Sequence, residues 1–154
     1  MPDLVKVDPV ALLPTQAGCA VFLGDGKKSI VFYIEPAIGA SINDALSDRK
    51  PPRPLTHDLF NDALRAFGAV VQRVVIVRVE NDVFFARLFI EAENEISEKL
   101  IVELDARPSD SIALAVRQQA PLYVLREVWE GLKDMTSVLE ELRDKGVEME
   151  GGDS

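Results

Sequence analysis

Apolar and polar residues alternate along residues 70–80 and 83–91, which is the pattern of two β-strands. Asn81-Asp82 lies between them and tolerates the positive φ angles of a two-residue type I′ turn, so we predict a hairpin. A two-residue turn fixes the register of the strands that it joins. The predicted register places three valines on one apolar face, with Val79 opposite Phe84, Val77 opposite Ala86 and Val75 opposite Leu88.

The other face of this hairpin mixes arginine, phenylalanine and branched side chains. In the same register Arg78 lies opposite Phe85 and Ile76 lies opposite Arg87. Such a face is neither fully polar nor fully apolar, and we expect another element or subunit to cover it.

Short runs rich in valine, isoleucine and aromatic residues predict further strands at residues 5–10, 18–23, 29–34, 99–104 and 122–125. Gly24-Asp25-Gly26 predicts a second hairpin turn. Apolar residues spaced three or four positions apart predict helices at residues 36–46, 56–67, from about 110 to 119, 128–134 and 137–145. Residues 112–116 are apolar around most of the helix circumference, so we expect that helix to be deeply buried.

These elements predict an α+β domain in which a mixed or antiparallel sheet is built from hairpins and helices pack on it. We expect the domain to span residues 1–126, followed by a short helical C-terminus at residues 127–147. Residues 148–154 are acidic, small and polar, and we expect them to form a flexible tail.

The composition is that of a globular protein, with 154 residues, 47% of them hydrophobic and 28% charged. A single cysteine, Cys19, excludes an internal disulfide, and the sequence has no Cys/His cluster for zinc. No apolar run approaches the ~18 residues of a membrane span, and the amino terminus lacks a basic segment followed by an apolar one. We therefore expect a cytoplasmic protein without membrane contact.

The net charge of −9 has the wrong sign for coating nucleic acid through bulk electrostatics. Residues 49–90 are nevertheless mildly basic, with seven Lys and Arg against four Asp and Glu. Any contact with DNA or RNA must therefore be made by a local site.

The first candidate site is Arg53-Pro54-Leu55-Thr56-His57-Asp58-Leu59, at the start of a predicted helix. Free N–H groups at a helix start attract phosphate, so Arg53 and Thr56 are candidates for binding substrate. Histidine is a common proton donor and acceptor in catalysis, so His57 and the neighbouring Asp58 are candidates for catalysis. Alternatively, Thr56 and Asp58 simply cap the helix, which accounts for every member of the cluster except the histidine.

The second candidate site is Asp105-Ala106-Arg107-Pro108-Ser109-Asp110-Ser111, between a strand that we expect to be buried and the apolar helix. Asp105 and Asp110 are candidate catalytic carboxylates and could bind a divalent cation such as Mg²⁺. Arg107 and Ser109 are candidates for binding the substrate phosphate. The alternative is again a capped turn, held by an ion pair between Arg107 and an aspartate.

The two clusters, taken in order with Ala120-Pro121-Leu122-Tyr123-Val124 after them, resemble the bifunctional nuclease domain family. The resemblance covers about residues 21–128. It implies a compact α+β domain that cleaves phosphodiester bonds in both DNA and RNA. The assignment of individual site residues comes from the two motifs.

One segment departs from the pattern of the family. Members usually read Ile-Gly-x-x-Glu-Ala after the early hairpin, whereas this chain has Ile34-Glu35-Pro36-Ala37-Ile38-Gly39. If the usual glutamate serves the chemistry, Glu35 must reach the same space.

Two other functions remain open at this stage. The chain could be a non-catalytic oligomeric module that uses the two clusters structurally and binds a protein partner through the mixed Arg/Phe face; we expect a homo-oligomer. It could also be a sensor of small anions or nucleotides that uses the same helix starts.

Overall fold

The computed structural model describes residues 3–153, with side chains described as far as Lys145, so the predicted tail at residues 148–154 lies outside the fully described residues. The strands are β1 (Leu4–Thr15), β2 (Gly18–Gly24), β3 (Ser29–Ile34), β4 (Ala69–Glu80), β5 (Val83–Glu93), β6 (Lys99–Ala106) and β7 (Leu122–Leu125). The helices are α1 (Pro36–Leu46), α2 (Thr56–Ala66), α3 (Pro108–Gln118), α4 (Arg126–Gly131) and α5 (Thr136–Asp153).

The seven strands form one sheet in the order β3-β2-β1-β7-β4-β5-β6. The pairing of β7 with β4 is parallel, and the other pairings are antiparallel. Helices pack on this mixed sheet, which confirms the α+β prediction.

The hairpin of β4 and β5 is present, with Asn81 and Asp82 at φ angles of 52° and 63°. Its register is as predicted next to the turn, where Val79 pairs with Phe84. Further along, the predicted pairs are wrong because an irregularity between Ile76 and Arg78 shifts the register by one residue. Such a bulge moves the apolar set of one strand by one position. The observed pairs are Ile76 with Ala86, Val75 with Arg87, Val74 with Leu88 and Arg73 with Phe89.

Helices α1 and α2 both pack against α3, and all three lie on one face of the sheet. The apolar stretch of α3 is the centre of this layer, and Ile112, Ala113 and Ala115 are at most 1% exposed. The prediction that α3 is deeply buried is therefore confirmed. On the other face, α5 places Leu139 against Ala20 and Phe22 of β2.

The sequence prediction for β6 is wrong in one respect, because the strand is exposed rather than buried. It lies at the end of the strand order and pairs only with β5. An edge strand has a neighbour on one side only, so its apolar residues are left open to solvent.

On the mixed Arg/Phe face of the hairpin, two guanidinium groups stack on phenylalanine rings of the same hairpin. Arg78 lies 4.1 Å from the ring centroid of Phe85, and Arg73 lies 4.4 Å from that of Phe89. Stacking of this kind shields the aromatic rings from water.

Candidate functional site

The starts of α2 and α3 meet through His57 and Asp110. His57 Nε2 lies 3.0 Å from Asp110 Oδ1, although the two residues are 53 positions apart. A carboxylate can only accept, so Nε2 carries the hydrogen whatever the charge of the imidazole. The two sequence clusters therefore converge in space at this pair.

The second ring nitrogen of His57 is also engaged. Nδ1 lies 3.0 Å from Ser41 Oγ, and that oxygen accepts a hydrogen bond of 2.8 Å from Arg117 Nη2. Ser41 is 5% exposed, and the imidazole of His57 is 14% exposed. With both nitrogens engaged and little exposure, the imidazole of His57 is held between Ser41 and Asp110.

Arg117 and Ser41 were not among the residues that the sequence analysis selected. Arg117 Nε donates to Asp58 Oδ1 at 2.7 Å, and Nη1 donates to the carbonyl of Ala113 at 2.7 Å. The Arg117 side chain is only 9% exposed. Arg117 directly follows the apolar stretch of a helix that was expected to be buried, and a buried arginine requires buried polar partners. This position in the sequence was the signal that Arg117 belongs to a polar cluster.

Asp58 is held within this buried cluster and also closes the start of α2. Its Oδ2 accepts from the N–H of Leu55, the N-cap residue, at 2.9 Å. Thr56, predicted as the N-cap, is instead the first helical residue and is exposed. Burial favours the neutral form of Asp58, but hydrogen bonds from Arg117 and from Leu55 outweigh it and lower the pKa of Asp58 below its usual value.

Arg107 connects the pair of His57 and Asp110 to a third element. It is the N-cap residue of α3, and its Nε and Nη2 both lie 3.0 Å from Asp110 Oδ2. Its Nη1 lies 3.3 Å from Glu35 Oε1, at the N-cap of α1. The side chains of Arg107 and Glu35 are 59% and 67% exposed.

The pKa values of this group follow from its contacts. Burial favours the neutral form of Asp110, but hydrogen bonds from His57 and Arg107 outweigh it and lower its pKa. Hydrogen bonding to Asp110 raises the pKa of Arg107. Arg107 and Asp110 are therefore both ionised at neutral pH.

A groove of about 860 Å³ opens beside Arg107. Glu35, Pro36, Pro108 and Ser109 also line it, so the N-termini of α1 and α3 both open into this groove. Its other walls come from β3 and from the β4–β5 turn: Phe32, Tyr33, Val83 and Phe84. Tyr33 is 60% exposed. The groove thus combines a cation, two helix N-termini and an accessible aromatic ring.

A separate cavity of about 350 Å³ lies beneath the loop between α1 and α2. Asp58 and Arg117 line it, together with the basic side chains of Arg49, Lys50 and Arg65. Four aspartates line the cavity beside four basic residues, so neither charge dominates; the aspartates are Asp44, Asp48, Asp58 and Asp62. Asp58 thus lines this cavity, whereas Arg107 lines the groove.

Three of the predicted site residues lie apart from the convergence. Asp105 is on β6, pairs with Arg87 at 3.0 Å and is 73% exposed. Its neighbour Ala106 pairs with the buried Ala86, so alternation along the strand directs Asp105 to the face of the sheet opposite α1, α2 and α3. Arg53 and Thr56 are exposed, and Arg53 has no ion pair among the described residues.

The predicted carboxylates do not form a metal site together. No group of three His, Cys, Asp or Glu side chains within the described part of the chain is placed to hold a metal ion. Asp58, Asp105 and Asp110 each pair with a different arginine instead. Glu35 and Asp110 lie on either side of Arg107 and share its guanidinium group.

The family model of the bifunctional nuclease domain matches residues 21–136 of this chain. The chain belongs to the bifunctional nuclease domain family. The matched region contains the convergence of α2 and α3, Arg107 and all of the groove lining except Ala17. This match confirms the resemblance seen in the two motifs.

Two kinds of relative show how far this similarity extends. An uncharacterized protein of Mycobacterium tuberculosis is 35% identical over 100 residues, which are 65% of this chain and 56% of the relative. Bifunctional nuclease 1 of Oryza sativa subsp. japonica is 29% identical over 84 residues, which are 54% of this chain and 25% of that protein. The chain thus spans about half of the first relative and a quarter of the second.

Among the residues that the structure describes, none of the helices has the length and apolar character that a membrane span requires.

Proposed function

We propose that this chain hydrolyses phosphodiester bonds of DNA and RNA strands that lie in the groove beside Arg107. The observation that carries the proposal is the shared contact of Arg107 with Asp110 and Glu35 at the wall of the groove, with His57 behind Asp110. Family membership supports the same class of reaction.

Arg107 is suited to binding a phosphate. Its guanidinium is more than half exposed, and the helix starts at Pro36 and Pro108 open into the same groove. Exposed ion pairs contribute at most about 1 kcal/mol, so a phosphate can displace the present partners of Arg107 at small cost. Arginine binds phosphate through two parallel hydrogen bonds.

Asp110 is the candidate proton acceptor. When Arg107 turns to the phosphate, Asp110 loses a hydrogen bond that lowers its pKa, and the pKa rises toward its usual value. Asp110 then accepts a proton from water, whose oxygen attacks phosphorus. The bond from phosphorus to the leaving oxygen breaks, and that oxygen takes a proton from solvent. His57 keeps Asp110 in place.

A divalent cation fits this site only with help from the substrate. Magnesium is commonly held by one or two carboxylates together with substrate phosphates, and here Glu35 and Asp110 are the two carboxylates. A bound Mg²⁺ would supply positive charge beside the developing charge on phosphate.

The test is cleavage of end-labelled single-stranded and double-stranded DNA and RNA by the purified chain, with Mg²⁺, with Mn²⁺ and with EDTA. We expect cleavage, and Arg107→Gln should reduce it by about 100-fold or more. A rate that does not change in Arg107→Gln would contradict the proposal.

One observation favours a second function, which is binding without hydrolysis. Every carboxylate of the convergence is already paired with an arginine, as in a cluster whose role is structural. Under this function the wild-type chain binds labelled strands but does not cleave them under any of the metal conditions.

A further inference from the structure

The edge strand β6 has an unusual surface for the end of a sheet. Four of its eight side chains are large, apolar and open to solvent, with Leu100 62%, Ile101 52%, Val102 36% and Leu104 39% exposed. The opposite edge strand, β3, is shorter, and its Ile30 and Phe32 are buried. Proteins commonly protect an exposed edge with proline, a bulge or repeated charges. β6 contains no proline and pairs with β5 without an irregularity, and its charged residues, Lys99, Glu103 and Asp105, all lie on the face away from Leu100, Val102 and Leu104.

The apolar side chains of β6 lie on one face in particular. Leu100, Val102 and Leu104 pair with Ala92, Ile90 and Leu88 of β5, and the last two of these belong to the core. The core side of the sheet therefore continues onto β6 with three apolar residues that solvent still reaches. The free backbone groups along the outer side of β6 require partners as well.

We propose that β6 pairs antiparallel with β6 of a second copy of this chain, about a two-fold axis at Val102. The two sheets then continue into one, with both helical layers on the same side. A contact of this kind uses the same patch on both copies, as two-fold interfaces do.

The sequence of β6 is complementary to itself in this register. Val102 lies opposite Val102, and Leu100 lies opposite Leu104, which joins the apolar residues on the core side. On the other side Lys99 of one copy lies opposite Asp105 of the other. Both are more than half exposed beside their present partners, Glu91 and Arg87, and have room for a further contact. A shift of the axis to Glu103 would place two like charges opposite each other.

The mass in solution tests the association. Light scattering during gel filtration at micromolar concentration should give twice the mass of the chain for the wild type. Val102→Lys should give the mass of one chain, and Val83→Lys, the same change at an exposed valine beside the β4–β5 turn, should remain a dimer. A wild-type monomer, or a dimer that Val102→Lys leaves intact, would overturn the proposal.

Cysteine cross-linking tests the register and does not depend on a charged variant folding. Opposed Cα atoms in an antiparallel pair are about 4.5–5.5 Å apart, within the range that a disulfide spans. Val102→Cys should therefore cross-link two chains under mild oxidation. Ile101→Cys should not, because the proposed register offsets its two Cα atoms by about 8 Å. Cross-linking through position 101 in place of 102 would show that the register is wrong, and the wild type controls for the buried Cys19.

Discussion

His57 Nε2 and Asp110 Oδ1 lie 3.0 Å apart and join the starts of two helices that are distant in sequence. Ser41 and Arg117 support the histidine from the other side, at the centre of the helical layer. The pair thus connects a buried polar cluster to Arg107, which faces the groove.

Arg117 should be essential for stability. Arg117→Met leaves Asp58 and the hydroxyl of Ser41 without their cation in a site where Arg117 is 9% exposed, so we expect a loss of about 3 kcal/mol in the free energy of unfolding. Urea denaturation measures this loss. Arg49→Met removes a pair with Asp44 in which Arg49 is 70% exposed, and it should cost less than about 1 kcal/mol. Equal losses in the two variants would show that the buried contacts of Arg117 stabilise the fold no more than an exposed ion pair does.

The decrease in the free energy of unfolding at acid pH should depend on Asp58. Its pKa is lower in the folded chain than the unfolded value of about 3.9, so the unfolded chain binds the proton more tightly. The resulting stability is present above about pH 4 and is lost as the pH falls through the folded pKa. Urea denaturation between pH 7 and pH 3 should show a shallower decline for Asp58→Asn than for the wild type. Asp62→Asn, a change at an exposed residue on the same helix, should retain the decline of the wild type.

Gly39 should be required for the close contact between α1 and β2. A Cβ atom at this position would lie 2.6 Å from Sγ and 2.7 Å from Cβ of Cys19, so Gly39→Ala should cost about 1–3 kcal/mol in unfolding experiments. Gly131→Ala is the matched control, because its Cβ would meet no atom within 4 Å. If Gly39→Ala is as stable as Gly131→Ala, then α1 is free to move and does not fix Ser41.

The sequence predicted those features of the fold that depend on neighbouring residues. Asn81-Asp82 predicted the turn, and Pro36 at the start of α1 was identified from the restricted φ of proline. The register beyond Ile76 was not predictable, because a bulge depends on how the whole sheet packs. The exposure of β6 likewise depends on strand order, which local pattern does not give.

The candidate site was predicted in part. The two polar clusters at helix starts were identified from the sequence, but the partners of Ser41 and Arg117 were not, because their contacts join three helices that are distant in sequence. Asp105 was included because it lies in the same motif as Asp110. Its alternation with Leu104 and Ala106 along β6 was the signal that it faces away.

Tyr33 should stack on bases of a bound single strand. The ring is 60% exposed in the groove, and stacking on an aromatic side chain contributes about 1–3 kcal/mol per base. Tyr33→Ala in an Asp110→Asn background should therefore weaken binding of a labelled single strand by about 5- to 100-fold, as measured by fluorescence anisotropy. Phe67→Ala removes a ring that is 86% exposed outside the groove, and its affinity should match that of the background. Equal affinities for all three proteins would exclude Tyr33 from the binding surface.

The most direct test of the proposed nuclease compares Asp110→Asn with Asp105→Asn in one cleavage assay on the same labelled strand. Both variants remove one charge from an aspartate paired with an arginine, but Asp110 lies behind Arg107 and Asp105 lies on the opposite face of the sheet. We expect Asp110→Asn to reduce the single-turnover rate by about 100-fold or more and Asp105→Asn to retain the wild-type rate. Equal rates for wild type and Asp110→Asn, or a loss confined to Asp105→Asn, would contradict the proposed site.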